Sequence, residues 1–190
     1  MKSRNLLLIA GITLLAGACV PSLNPFYTEK DVVFDGRLVG EWQSKDTNDL
    51  QSWRFEKLGE KAYRLVVTEN DRKQAQMNVH LFKIEDGLFL DLIPSDCKFA
   101  PEQGDLVEAA MFPGHLLLRV PQVEPALQLA FCDYDWLSKY LESHPGDLGH
   151  HMEDDHALLT AQPKDLQAFV TKHLDVMFGK PEEFVRQAAK

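Results

Sequence analysis

Between Leu38 and Asp133 the apolar residues recur at every second position, and this period restricts the fold more than any other feature of the chain. Trp53 and Phe55 alternate with Arg54 and Glu56; Tyr63, Leu65 and Val67 flank Arg64 and Val66; Met77, Val79 and Leu81 interleave with Gln76, Asn78 and His80. Leu88, Leu90 and Leu92 share a face, as do Leu116, Leu118 and Val120, and Leu127, Leu129 and Phe131. A period of two places alternate side chains on opposite faces, so these runs read as antiparallel strands with one buried face. Turn clusters separate them: Asp46-Thr47-Asn48-Asp49, Leu58-Gly59-Glu60, Glu69-Asn70-Asp71, Asp86-Gly87 and Pro113-Gly114. The short spacings favour up-and-down hairpins. About seven strands result, with an eighth at Ala157 to Leu159. A barrel or a strongly curved sheet is the economical way to protect the edges of such a sheet. At Leu81-Phe82 the parity slips, which predicts a bulge.

After Asp133 the period lengthens. Tyr134, Leu137, Tyr140 and Leu141 lie at helical spacing, and so do Leu166, Phe169, Val170, His173, Leu174 and Met177. Pro163 suits a first helical turn and Gly179 a stop. Pro181-Glu182-Glu183 reads as the opening of a last short helix carrying Phe184 and Val185. The expected fold class is α+β: an antiparallel curved sheet or small β-barrel of about 7–8 strands with C-terminal helices. One domain is expected over 38–190, mainly β in 38–133 and mainly helical in 134–190, with a polar loop at 144–156.

Ahead of this domain the chain carries an address. Lys2 and Arg4 precede the apolar run Leu6 to Leu15, followed by small residues and Cys19. That order is the layout of an export signal, and the run is short of the ~20 residues a membrane span needs. The segment Leu15-Ala16-Gly17-Ala18-Cys19 resembles the lipobox of bacterial lipoproteins. The resemblance implies removal of residues 1–18, lipidation of Cys19 and attachment to a membrane through the acyl chains. Val20 after the cysteine, where Asp would favour the inner membrane, implies the outer membrane in a host that has two. Cleavage would also remove Lys2 and Arg4, lowering the net charge of −9 by two, to −11. So acidic a chain is not drawn to anionic lipid headgroups, which leaves anchoring to the lipid. The same charge argues against nucleic acid as a partner. Residues 19–37 form a lead-in without a Ser/Gly tether. Phe26, Tyr27, Val32, Val33 and Phe34 within it are expected to pack on the domain and hold it close to the membrane.

Gly40-Glu41-Trp42 opens the first strand and resembles the Gly-x-Trp start of lipocalin-type barrels. There the Trp closes one end of an eight-stranded barrel and a late Arg packs on it, which points to Arg119 as the nearest candidate.

Two cysteines remain besides Cys19. In an oxidising compartment Cys97 and Cys132 form either one disulfide or two separate buried thiols. His144, His150, His151, Asp154, Asp155 and His156 crowd the segment HPGDLGHHMEDDH. Of these, His150, His151, His156, Asp154 and Asp155 carry the donors zinc, nickel or copper prefers, against the alternative of a solvated polar loop. His80, His115 and His173 read as surface or satisfied histidines, and Asp91 and Asp96 as solvated carboxylates. The chain has no Gly-x-Ser-x-Gly turn, no phosphate-binding Gly loop and no Cys-x-x-Cys. No enzymatic activity and no cofactor are expected. A lipid-anchored interaction or scaffold module of the envelope ranks first. A barrel that binds a small apolar ligand or lipid ranks second, and a metal-binding or enzymatic role of the 144–156 loop third.

Overall fold

The computed structural model describes residues 20–46, 51–69, 74–95, 113–153 and 156–188. After a short strand β1 (Val32–Val33) come β2 (Gly40–Ser44), β3 (Ser52–Leu58), β4 (Ala62–Thr68), β5 (Gln74–Ile84), β6 (Gly87–Pro94), β7 (Leu116–Gln122) and β8 (Leu127–Phe131). Helix α1 (Tyr134–Ser143), the hairpin β9 (His150–Glu153) and β10 (His156–Leu159), helix α2 (Pro163–His173) and strand β11 (Glu182–Arg186) complete the order. Strands β2 to β8 follow one another as antiparallel neighbours. β11 pairs with both β8 and β2, and β5 pairs with both β4 and β6. The sheet is therefore a closed eight-stranded antiparallel barrel, a small lipocalin-like α+β fold.

The last step of closure corrects the sequence reading. Residues Glu182–Arg186 form a strand, not a helix. Phe184 is the register partner of Ser44 on one side and Leu127 on the other. Its ring is 1% exposed inside the barrel, whereas its neighbour Val185 is 37% exposed. Five residues with one buried side chain cannot repay helix nucleation, and the gap between β2 and β8 supplies ladder partners on both sides. Pro181-Glu182-Glu183 imitates a helix start without being one. The described residues of the span 134–190 are accordingly mixed, with two helices and three strands. The polar loop at 144–156 is in part the β9–β10 hairpin, so Ala157 to Leu159 lie in a strand outside the barrel.

The slip at Leu81-Phe82 is not a bulge. β5 pairs with β6 in unbroken register from Met77↔Pro94 to Ile84↔Gly87. Both faces of β5 are buried there: Leu81 points into the barrel and Phe82 outward under a second layer, and neither is exposed. The register shift in the barrel wall falls instead between Arg119 and Gln122, where β7 meets β8.

Two cores follow from this double burial. One fills the barrel, with Trp42, Phe55, Tyr63, Leu81, Leu90 and Phe184 among its fully buried members. The other lies between the outer wall and the helices. It joins Phe82, Phe89 and Leu117 to Leu137 and Leu141 of α1 and to Leu166, Phe169 and Val170 of α2. Phe26 and Val32 are buried, and Tyr27, Val33 and Phe34 are partly buried against these cores, as the lead-in's apolar residues predicted.

One end of the barrel is plugged. The 3-10 turn Gly36–Leu38 crosses it, Leu38 is fully buried, and Trp42 Nε1 donates to the Leu38 carbonyl at 2.8 Å. Arg186, not Arg119, packs on Trp42, its guanidinium 4.2 Å from the ring centroid. Arg186 also donates to the carbonyls of Val39 (2.7 Å) and Arg37. Arg119 fails the role because it alternates with the inward Leu118 and Val120 and so leaves the barrel on the outer face. Gly40 holds φ +138, and a Cβ there would collide with the Arg186 guanidinium. The glycine of Gly-x-Trp thus makes room for the arginine.

Candidate functional site

On β4 the inward residues run Tyr63, Leu65, Val67 away from the plugged end; on β5 they run Leu81, Val79, Met77, Ala75. Val67 on β4 and Ala75 on β5 are the small inward residues near the end where β3, β5, β7 and β11 begin. A pocket of about 370 Å³ opens there. Its walls are Trp53, Val67, Met77, Leu92, Leu118 and Phe131. Trp53 forms an aromatic group at this site, 5.6 Å from Phe184 and 6.3 Å edge-on from Phe131, and its indole N–H donates to Gln51 Oε1 at 3.1 Å. The rim is charged, with Glu69, Asp133, Lys180 and Glu182. An apolar hollow with a few polar groups at its margin is the usual build of a small-molecule site, and this volume lies at the small end of the ~300–1,000 Å³ range.

A second depression, about 360 Å³, lies between loop 146–149 and α2 and is mainly polar. Beside it Tyr140 donates to Asp147 Oδ2 (2.6 Å), which also accepts from Lys172 (3.1 Å). These bonds hold the loop after α1 against α2. His144 stacks on Tyr140 at 4.3 Å, and His173 packs 4.5 Å from Phe169 and 4.6 Å from Tyr140. Burial pushes the His173 imidazole below its ordinary range.

The sequence-level ligand residues do not converge. His150 and His151 are consecutive on β9 and so face opposite ways. His150 Nδ1 lies 2.7 Å from the Leu148 carbonyl. His151 and His156 are exposed, and Asp154 and Asp155 lie outside the described residues. Among the described residues no three His, Cys, Asp or Glu side chains come within reach of one metal ion. Cys132 is buried at the end of β8 and lines the pocket, while Cys97 and Cys19 lie outside the described residues.

Asp91 is fully buried, not solvated. Its carboxyl accepts from the Phe26 amide at 2.9 Å and pairs with His115 Nδ1 at 2.7 Å. His80 is the cross-strand partner of Asp91, and its Nδ1 lies 3.0 Å from the Tyr27 hydroxyl. Burial, then the charges of Asp91 and Glu29, push the Tyr27 phenol up to about 12. Burial also pushes His80 down, against the attraction of Asp91 and Glu29. A protonated phenol facing a neutral imidazole is the stable pairing, with Tyr27 as donor. Together these four side chains hold the lead-in segment to the barrel wall. Asp96 lies outside the described residues.

Besides the buried Asp91, sequence reasoning missed Arg186 and the pocket. Arg186 was hidden in an apparent helix. The pocket was invisible because alternation marks which side chains point inward and not whether they fill the space; only the decrease from Tyr63 through Leu65 to Val67 on β4 hints at it. No family model, curated protein or solved structure matches the chain.

Proposed function

We propose that this chain is a lipid-anchored protein of the cell envelope whose barrel binds a small apolar molecule at its mouth. The observation that carries the ligand reading is the apolar pocket at one end of a barrel whose other end is plugged. A guest there exchanges water for Trp53, Met77, Leu92 and Phe131, at roughly 25 cal/mol per Å² of apolar surface removed from water. The anchoring half rests on Leu15 to Cys19, and the outer-membrane assignment on Val20. Docking of a partner through an exposed strand edge is the weaker reading, because closure pairs all eight barrel strands on both sides. The arrangement favours a binder over an enzyme.

Residues 20–190 contain every described element, so this stretch can be tested without the N-terminal signal. Titration with N-phenyl-1-naphthylamine, followed by energy transfer from tryptophan, should give saturable binding at one site. Val67→Phe, which fills the hollow, should weaken binding at least about tenfold, equivalent to ~1.4 kcal/mol. No saturable signal, or an unchanged affinity in the variant, removes the ligand reading. Cys19→Ser in the native host should move the protein out of the membrane fraction; retention there removes the anchoring reading.

A further inference from the structure

The lead-in is fixed at its two ends by backbone and in its middle by side chains. Ser22 exchanges both backbone hydrogen bonds with His115, at 2.9 and 2.8 Å, and the Leu23 amide donates to the Leu159 carbonyl at 2.9 Å. At the far end the Lys83 amide donates to the Asp31 carbonyl at 3.0 Å, and Val32 and Val33 pair with Phe82 and Leu81. Among the described residues no backbone-to-backbone hydrogen bond ties residues 24–30 to the barrel.

That middle stretch lies over outward side chains of β5 and β6. The Phe26 amide donates to Asp91 Oδ2 at 2.9 Å, and the other oxygen of Asp91 is taken by His115 Nδ1 at 2.7 Å. The Tyr27 hydroxyl lies 3.0 Å from His80 Nδ1. The Tyr27 ring covers the imidazole at 4.7 Å and Phe82 at 5.9 Å. Two uncharged amides complete the attachment: Asn24 Nδ2 donates to the Ala161 carbonyl and Gln167 Nε2 to the Phe26 carbonyl, both at 3.0 Å.

A neutral imidazole accepts the Tyr27 proton at Nδ1, and a second ring proton removes that lone pair. The hydroxyl can rotate to accept instead, but the positive charge then stays under the phenol ring. The carboxylate beside it, Asp91, has both oxygens committed already. Four groups face His80: Tyr27 and Glu29 from the lead-in, Asp91 from β6, and His115 ahead of β7. Its neighbour on β4 is Ala62. Burial opposes charge on His80 more strongly than Asp91 and Glu29 favour it, and His115 adds to the opposition. Once Tyr27 lifts, the imidazole meets water and regains its ordinary affinity for a proton. The covered form is therefore favoured fully above about pH 6.5 and loses ground as pH falls.

We propose that residues 24–30 form an acid-opened strap: proton uptake by His80 lifts Phe26 and Tyr27 from the wall, while Ser22 and β1 stay paired, and uncovers apolar surface around Phe82. Phe26 and Phe82 are both buried in the outer core, so opening exposes side chains that the covered form hides. The device uses neither Cys19 nor the barrel pocket.

The full-length protein is pulse-labelled with deuterium at about pH 7.5 and about pH 5, and rates are corrected for intrinsic exchange. Residues 24–30 should lose protection several-fold at the acid pH, while β4 and β11 keep theirs. In NMR spectra the His80 imidazole should titrate below its ordinary range, with the same midpoint as the Tyr27 ring signals. His80→Gln keeps an acceptor for the Tyr27 hydroxyl and takes up no proton, so the acid loss should disappear. If that variant is open at both pH values, the two wild-type midpoints decide alone. Unchanged protection of residues 24–30 overturns the proposal, and so does an acid loss that persists in His80→Gln. Equal acid losses in β4, which mean global unfolding, overturn it too, as do separate midpoints for His80 and Tyr27.

Discussion

Phe184 and Val185 are consecutive, both apolar, and both suited to the buried face of a short helix, yet the strand assigns them opposite fates. Phe184 is inside the barrel, 1% exposed, with its ring 5.6 Å from Trp53. Its truncation in Phe184→Ala removes a fully buried ring from the strand that closes the barrel. Such a change costs about 3–5 kcal/mol in a core, of which ~0.5–1.5 belongs to the ring pair. Val185 points outward and is 37% exposed, so Val185→Ala should stay within about 0.5 kcal/mol of wild type. Urea unfolding followed by tryptophan emission reads both. With a slope of about 2 kcal/mol/M, a 4 kcal/mol loss moves the Phe184→Ala midpoint down by about 2 M, while Val185→Ala barely moves. Equal losses in the two variants, or a loss under about 1 kcal/mol in Phe184→Ala, would refute the closing strand.

Gly40→Ala forces a side chain into a φ of +138 and against the Arg186 guanidinium, so it should lower stability by about 1–3 kcal/mol in the same assay. In an Arg186→Ala background the steric part of that loss should shrink, a coupling that a double-mutant cycle measures. Asp91→Ala leaves the Phe26 amide and the His115 imidazole without their acceptor, a loss of about 1–3 kcal/mol for each group left unsatisfied. Hydrogen exchange should show residues 21–27 opening first. Burial raises Tyr63, as it does Tyr27, to about 12, partly offset at Tyr63 by its bond with the Asp35 backbone. A phenol raised above its unfolded value of about 10 stabilises the fold fully below pH 10 and loses that contribution as pH rises toward 12. Stability should therefore fall across pH 10–12, less steeply in Tyr63→Phe. At the acid side His80 is held below its ordinary value, so its contribution fades as pH drops below about 6.5.

The barrel was legible where alternation is strict. Trp53/Phe55, Tyr63/Leu65 and Leu127/Leu129 all face inward as their spacing required. It became illegible where a strand is buried on both faces, because Phe82 under the helical layer looks the same in sequence as a residue displaced by a bulge. β11 was lost for a different reason. Five residues carry too little periodic signal, and what decides their state is the pair of strands waiting on either side, which are far away in sequence. The plug shows the same limit in finer form. The resemblance carried by Gly40 and Trp42 implies an arginine at this end, but the choice between Arg119 and Arg186 depends on which face of which strand each occupies. Asp91 read as solvated because nothing local marks the segment that covers it, some sixty residues upstream. The pocket was the least visible, since its lining residues are ordinary strand residues and the void is a sum over six strands.

The outer core gives the lead-in segment a purpose that the barrel alone does not require. A closed barrel plugged at one end is a complete fold, yet Ser22, Phe26 and Asp91 are all buried to hold residues 20–33 along its wall. Gln167 of α2 joins in, donating to the Phe26 carbonyl (3.0 Å) and to Asp31 (2.9 Å). Burial pushes the Asp31 carboxyl up, but these bonds from Gln167 and Thr28 outweigh it and hold it below its ordinary range. A segment serving only as a tether needs none of this and is better left polar and loose. Pinning it fixes residues 20–33 against the wall, from the level where β7 begins to the plugged end.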